Sequence, residues 1–433
     1  MRIHFVTNAC MEILAKDTRI LCDPWLVPGA FDGSWWQNPP LRLKPQDFTE
    51  YTHLYISHIH QDHCDTYTLK QLPNKDVPVI ILKNPDGFVR KRVASCGFKN
   101  FIELENGESV TISNGVIVTM YSAFAANPFI DIGVPNIIDS SIVVSDGTHT
   151  FLNINDNTPD AAACAMLVKR HGYVDASTVP YSGVGPFPSS YLNLSEEEKK
   201  EACIQKQEQY LNRMVEVANI LKAKVFLPAA GQMILGGKQM YKNSTLGVVD
   251  QKIGVERLTA AGHKAAFLEE GDFFDIGTME HTKTLPESKW SDTSLKKLEQ
   301  ARYWWEDAFD IHESERAPLI PLLQSARERL SKYQEKYNFW TDWTLAIRVL
   351  EEPDFVYTFS YADTSSVSKA RTTDLLQGGS KFLMVEVPYN YLIAILTRHC
   401  HWNNAYHGCQ VNWWRQPDEY VPELQMLLSF FHL

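Results

Sequence analysis

The chain has 433 residues, with 52 acidic against 41 basic side chains and a formal charge of −11 at pH 7. This acidic balance, with no Lys/Arg-rich block, sets the overall field against a nucleic-acid backbone, so nucleic acid is excluded as an expected partner. Hydrophobic residues make up 44% and charged residues 21%, ordinary globular proportions without repeats or low-complexity tracts, and the length exceeds one ordinary core. No run of about 18 apolar residues occurs, so no membrane span is expected, and because residues 1–6 read directly as a strand the default expectation is a cytoplasmic protein. The eight cysteines are scattered without a CxxC pair, the pattern of free thiols rather than of a disulfide frame.

Short strands are predicted at residues 2–6, 11–14 and 20–22, the last running into Cys22-Asp23-Pro24-Trp25. Residues 26–50 are rich in Pro, Gly and Trp and read as a long loop, its aromatics packing over the core or covering a substrate. The β-branched and aromatic stretch 51–57 reads as a buried strand, and where it ends stands His58-Ile59-His60-Gln61-Asp62-His63-Cys64. Three imidazoles and a carboxylate within six positions form an HxHxDH cluster. In a loop, His58 and His60 can face one ion while Asp62 and His63 face a second close by. Cys64 is the only cysteine near this loop.

A short helix over 66–71 and an apolar strand over 77–82 complete a β-loop-α-β unit, an order that suits an α/β sandwich. Further strands are expected at 109–112, 116–121 and 141–144, followed by an apolar strand from Thr150 that ends on Asp156. Asp156 therefore repeats the logic of the first cluster, a ligand at a strand terminus, and is the expected carboxylate bridging two metals. The Gly/Pro loop 179–188, with Tyr181 and Ser182, and the strand 224–227 ending in Pro228-Ala229-Ala230-Gly231 are candidate pocket walls or ordinary turns. Between them Ser195 opens a long amphipathic helix with an acidic first turn. Helical periods return at 291–310 and 321–337. The expected organisation is a catalytic domain over 1–285, a helical connector over 286–350 and a small α+β domain over 351–433. His399, His401 and His407 in that tail match no zinc or Rieske spacing and read as structural or surface residues.

CDPW with its aromatic loop, ISHxHxDH at 56–63, LNxND at 152–156, YSGxGPFP at 181–188 and LPAAG at 227–231 together resemble the metal-binding half of CMP-N-acetylneuraminate hydroxylase-like proteins, with HWNN at 401–404 similar to their C-terminal region. The resemblance implies a metallo-β-lactamase-like αββα sandwich over roughly residues 1–280. It also implies ligands from His58, His60, Asp62, His63 and Asp156, with Asp62 catalytic, and places Asp23, Trp25, Tyr181 and Ser182 near a small-molecule substrate. Two histidines that usually complete such dinuclear sites have no counterpart where they belong. Asn136 is the expected weak substitute for the first, Ala229-Ala230-Gly231 fills the place of the second, and His149, His171, His263 and His281 are loop candidates of unknown position.

A site with fewer imidazoles and more open positions than a hydrolytic dizinc site leaves room for dioxygen, and mixed histidine and carboxylate ligation with few thiolates suits iron as well as zinc. The primary expectation is thus a diiron oxygenase, with O2 as co-substrate, that hydroxylates or oxidises a small biosynthetic intermediate. No CxH…CxxH spacing is present, so electrons are expected from a separate protein. The alternative is a zinc or manganese hydrolase of a phosphoester, lactone or amide, with Asp62 orienting the water. Oligomeric state is not legible in the residues.

Overall fold

The computed structural model describes residues 1–124 and 138–433. Among them, two sheets face each other. The first runs Glu280–Thr282, Phe273–Asp275, Arg2–Thr7, Cys10–Ala15, Thr18–Cys22, His53–Tyr55, Val79–Leu82 and Phe101–Leu104 in spatial order. The second runs Val225–Ala229, Ala176–Pro180, Thr150–Asn153, Ser140–Ser145, Ile117–Ser122 and Ser109–Thr111.

The alternation of strand side chains sorts the core into layers. Ile142 and Val144 point between the sheets, where they meet Ile3, Ile13, Val118, Phe151 and Leu227. Their neighbour Val143 points outward to Cys164, Leu167, Leu211, Met214 and Leu258 of the helices Ala161–His171, Glu196–Leu221 and Gln251–Ala260. On the far side, Leu54, Val79 and Ile81 bury Leu69, Val89 and Val93 of Thr66–Gln71 and Phe88–Ser95. Each fully buried aliphatic side chain of this kind contributes about 1.5–3 kcal/mol. The layer order is helix, sheet, sheet, helix, the αββα sandwich expected.

The helix expected from Ser195 spans Glu196–Leu221, and Ser195 accepts a hydrogen bond from the Glu198 backbone N–H while the Glu198 carboxylate reaches back to the Ser195 backbone N–H. In place of one helical stretch over 291–310 there are two shorter helices, Asp292–Glu299 and Trp304–Ala308. Leu319–Lys336 buries Leu323, Ala326 and Leu330 on a five-stranded sheet whose central strand is Thr344–Val349, parallel to Phe382–Val387. Both elements lie within the span assigned from the sequence to the connector, and in the structure they are part of the C-terminal lobe. No helix among the described residues is long and apolar enough to cross a membrane.

Candidate metal centre

The strand His53–Tyr55 stops at the sandwich rim, and the loop that follows carries the HxHxDH residues before Asp65 caps Thr66–Gln71 by accepting from the Tyr67 and Thr68 N–H groups. Four other turns meet it there. Three use left-handed backbone at residues whose short polar side chains tolerate it: Asn8 (φ 48°), Asp23 (φ 43°) and Asn155 (φ 56°). Ala230 (φ 59°) has no such excuse and marks local strain in the late loop.

These turns build the supports of the cluster. Asp23, fully buried, accepts from the Ser57 backbone N–H at 2.7 Å and from His63 Nδ1 at 3.0 Å. That bond leaves His63 Nε2 aimed at Asp62 Oδ2 (3.4 Å) and Asp156 Oδ2 (3.3 Å), buried and without a hydrogen-bond partner. Asn8 donates from Nδ2 to Asp62 Oδ2 at 3.2 Å and takes the Gly231 N–H on Oδ1 at 2.6 Å, tying the late loop to the ligand loop. His58 Nε2 and His60 Nδ1 lie 2.8 Å apart. His58 Nε2 is 4.0 Å from Asp156 and 3.9 Å from Asp139.

The donors fall into two groups that share Asp156: His58, His60 and Asp156, and Asp62, His63 and Asp156. Two bare imidazole nitrogens at 2.8 Å repel unless a proton or a metal ion lies between them, and the orphaned His63 Nε2 asks for the same. The set is nitrogen and oxygen only, since Cys64 is packed in the apolar layer beside Leu54 and Leu69. Such a set fits two borderline or hard divalent ions bridged by a carboxylate.

The electrostatics agree. Burial opposes the His63 cation, but Asp62, Asp156 and Asp23 outweigh it and hold its pKa well above the usual histidine range. Desolvation pushes Asp156 up, yet the charge of His63 beside it wins and lowers it to about 2. For His60, burial and then the neighbouring His58 and His407 drive the pKa well below the ordinary value.

The five main ligand candidates are thus brought together, while Asn136 lies outside the described residues. The residues expected against substrate are placed differently. Asp23 stands behind His63 as its orienting carboxylate, Trp25 is fully buried beside Phe31 and Trp35, Tyr181 is fully buried, and Ser182 Oγ accepts the Val249 N–H. The four loop histidines are engaged elsewhere. His171 bonds Tyr121, His263 bonds Asn219, His281 bonds Asp272, and His149 lies near Asp146 at the start of the strand whose other end leads to Asp156. Of the tail histidines, His401 caps Trp402–His407 and His399 packs on Phe309. The third corrects the sequence reading: the His407 ring lies 5.0 Å from that of His60. Asn8, Asp139 and His407 therefore stand beside the cluster, and sequence reasoning missed them there. Asn8 alone left a trace, as an Asn in a tight turn between two strands.

No protein-family model matches the chain. It is 30% identical over 277 residues, 62% of this chain and 52% of the relative, to a protein of Mycolicibacterium smegmatis named for a Rieske 2Fe-2S iron-sulfur centre. It is 28% identical over 250 residues to the cytidine monophosphate-N-acetylneuraminic acid hydroxylase of Cricetulus griseus, 54% of this chain and 40% of that one. The chain thus spans about half the length of the curated relatives it matches, or less. Among solved structures, the isothiocyanate hydrolase from Delia radicum gut bacteria superposes with a TM-score of 0.47 at 14% identity, over 64% of this chain and 99% of the other. Over somewhat more than half its length the chain is similar in sequence to CMP-N-acetylneuraminate hydroxylase-like proteins.

Proposed function

We propose that this metal-dependent enzyme is a diiron oxygenase that hydroxylates or oxidises a small intermediate. The observation that carries the reading is the donor set: three histidines and the carboxylates of Asp62 and Asp156 within one cluster, with no thiolate. Mixed histidine and carboxylate ligation is chemistry that non-haem iron uses, and the similar hydroxylase points the same way.

Two irons held by His58, His60, Asp62, His63 and Asp156 supply dioxygen activation when bound. The chain's own residues fix the geometry for it. Asp23 sets the His63 ring so that Nε2 faces the centre, Asn8 fixes Asp62, and Ser57 Oγ lies 2.9 Å from His58 Nδ1. The reducing electrons come from outside these 433 residues, which hold no Rieske motif.

The experiment is aerobic turnover of the iron-loaded, reduced protein with small-molecule extracts under 18O2. Mass spectrometry is expected to show a product heavier by one labelled oxygen. Zinc- or manganese-dependent cleavage of a phosphoester, lactone or amide, with label entering only from H218O, would replace the oxygenase reading by the hydrolase one.

A further inference from the structure

We infer that His407, delivered by the C-terminal lobe, is a further ligand of the metal centre and completes it. The inference rests on the dinuclear reading above and names the residue that finishes it. His407 is the last residue of the helix Trp402–His407. Its ring lies 5.0 Å from the His60 ring and 5.6 Å from Phe31, and the charges facing it are Asp62, Asp156 and His58, all three from the ligand set. The Val184 backbone also acts on the ring, and a metal-bound histidine is commonly oriented by such a group at the nitrogen that does not face the ion.

The approach of this helix to the site is built in. Trp35 Nε1 donates to the His407 carbonyl at 2.8 Å, Gln410 Nε2 donates to the Phe31 carbonyl at 2.6 Å, and Asn404 Nδ2 donates to Asp32 at 3.2 Å. Gly408 follows His407 so closely against the loop that a Cβ there would stand 2.8 Å from Ser34 Oγ and 3.0 Å from the Phe31 carbonyl oxygen. A histidine with only a packing role needs none of this register. One that must reach an ion needs its backbone held on both sides.

The late loop of the sandwich offers Ala229, Ala230 and Gly231, none of which can ligate a metal through its side chain. His407 fills the gap from another lobe, so the sandwich alone holds an incomplete site.

The test is anaerobic titration of the full chain with Co2+, read by its visible d–d absorption, for the unmodified protein and for His407→Ala, His407→Gln and His399→Ala. The unmodified protein and His399→Ala are expected to take up two equivalents. His407→Ala is expected to lose affinity for one of them at least tenfold with a changed spectrum, recovered by added imidazole, while circular dichroism shows both His407 variants folded. Two equivalents bound by His407→Ala with unchanged affinity and spectrum would overturn the inference. Fewer than two equivalents in the unmodified protein would instead overturn the dinuclear reading on which it rests.

Discussion

At the scale of single residues the candidate centre is positioned by a buried carboxylate and an amide behind its donors. Asp23 is the clearest case, since its one carboxylate receives both His63 and the backbone that precedes His58. Asp23→Asn keeps the shape and removes the charge behind His63, and metal affinity is expected to fall about 10–100-fold; competition against a chromogenic chelator measures it, and an unchanged affinity would show that the charge is dispensable. His63 makes a second prediction. Its pKa is raised by Asp62, Asp156 and Asp23 despite burial, so without metal it holds its proton to higher pH than a free imidazole does. Metal entering at Nε2 must expel that proton. Affinity is therefore expected to rise about tenfold per pH unit until the pH passes the His63 pKa, with about one proton released in calorimetry across buffers of different ionisation heat. An affinity flat between pH 6 and 8 would contradict this. The cluster was legible in the sequence because all its members but Asp156 fall within six consecutive positions of one loop. Asp23 was legible as important and misread in role, because a carboxylate after a strand looks the same whether it faces a ligand or a histidine ring.

At the scale of elements, the glycine loop after Ala176–Pro180 shows why spacing alone could not separate a pocket wall from packing. Tyr181 turns inward to full burial, and Gly183 lies beneath the ring of Tyr210 from the long helix Glu196–Leu221, where a Cβ would come within 1.9 Å of Cζ. Gly183→Ala is expected to destabilise the fold by about 2–4 kcal/mol, as an overpacked core site does at the upper end. Tyr210→Ala in the same chain is expected to recover most of the added loss, which chemical denaturation of the double-mutant cycle would measure. Additive effects would show that the ring moves aside freely. The strands and helices of the sandwich were readable from period and capping, as Ser195 and its helix illustrate. The break between Asp292–Glu299 and Trp304–Ala308 was not, because the intervening Tyr303 leaves the helical path to bury its ring and donate its hydroxyl to the Gly236 carbonyl at 3.0 Å.

At the scale of the whole molecule, the aromatic loop near the start of the chain is the seat of the C-terminal lobe. Asp32 accepts from Trp304 Nε1 (3.1 Å), Tyr391 hydroxyl (3.1 Å) and Asn404 Nδ2 (3.2 Å), and desolvation raises its pKa against those donors. Asp32→Ala strands three donors and is expected to cost about 3 kcal/mol, and to weaken metal binding along with it, because the same junction positions His407. Thermal unfolding and metal titration on one preparation check both, and a loss of stability with no loss of affinity would separate the junction from the site. None of this was legible in the sequence: Trp35 and His407 meet across 372 residues, and a contact between the ends of a chain leaves no local period or spacing behind.

The proposed centre is a pair of iron ions held by histidine and carboxylate. Its most direct measurement is metal content with Mössbauer spectroscopy on protein produced in iron-57 medium, beside His58→Ala. Two irons per chain in a coupled pair, lost or reduced to one in His58→Ala, is the result expected; stoichiometric zinc with no iron bound in either protein would contradict it.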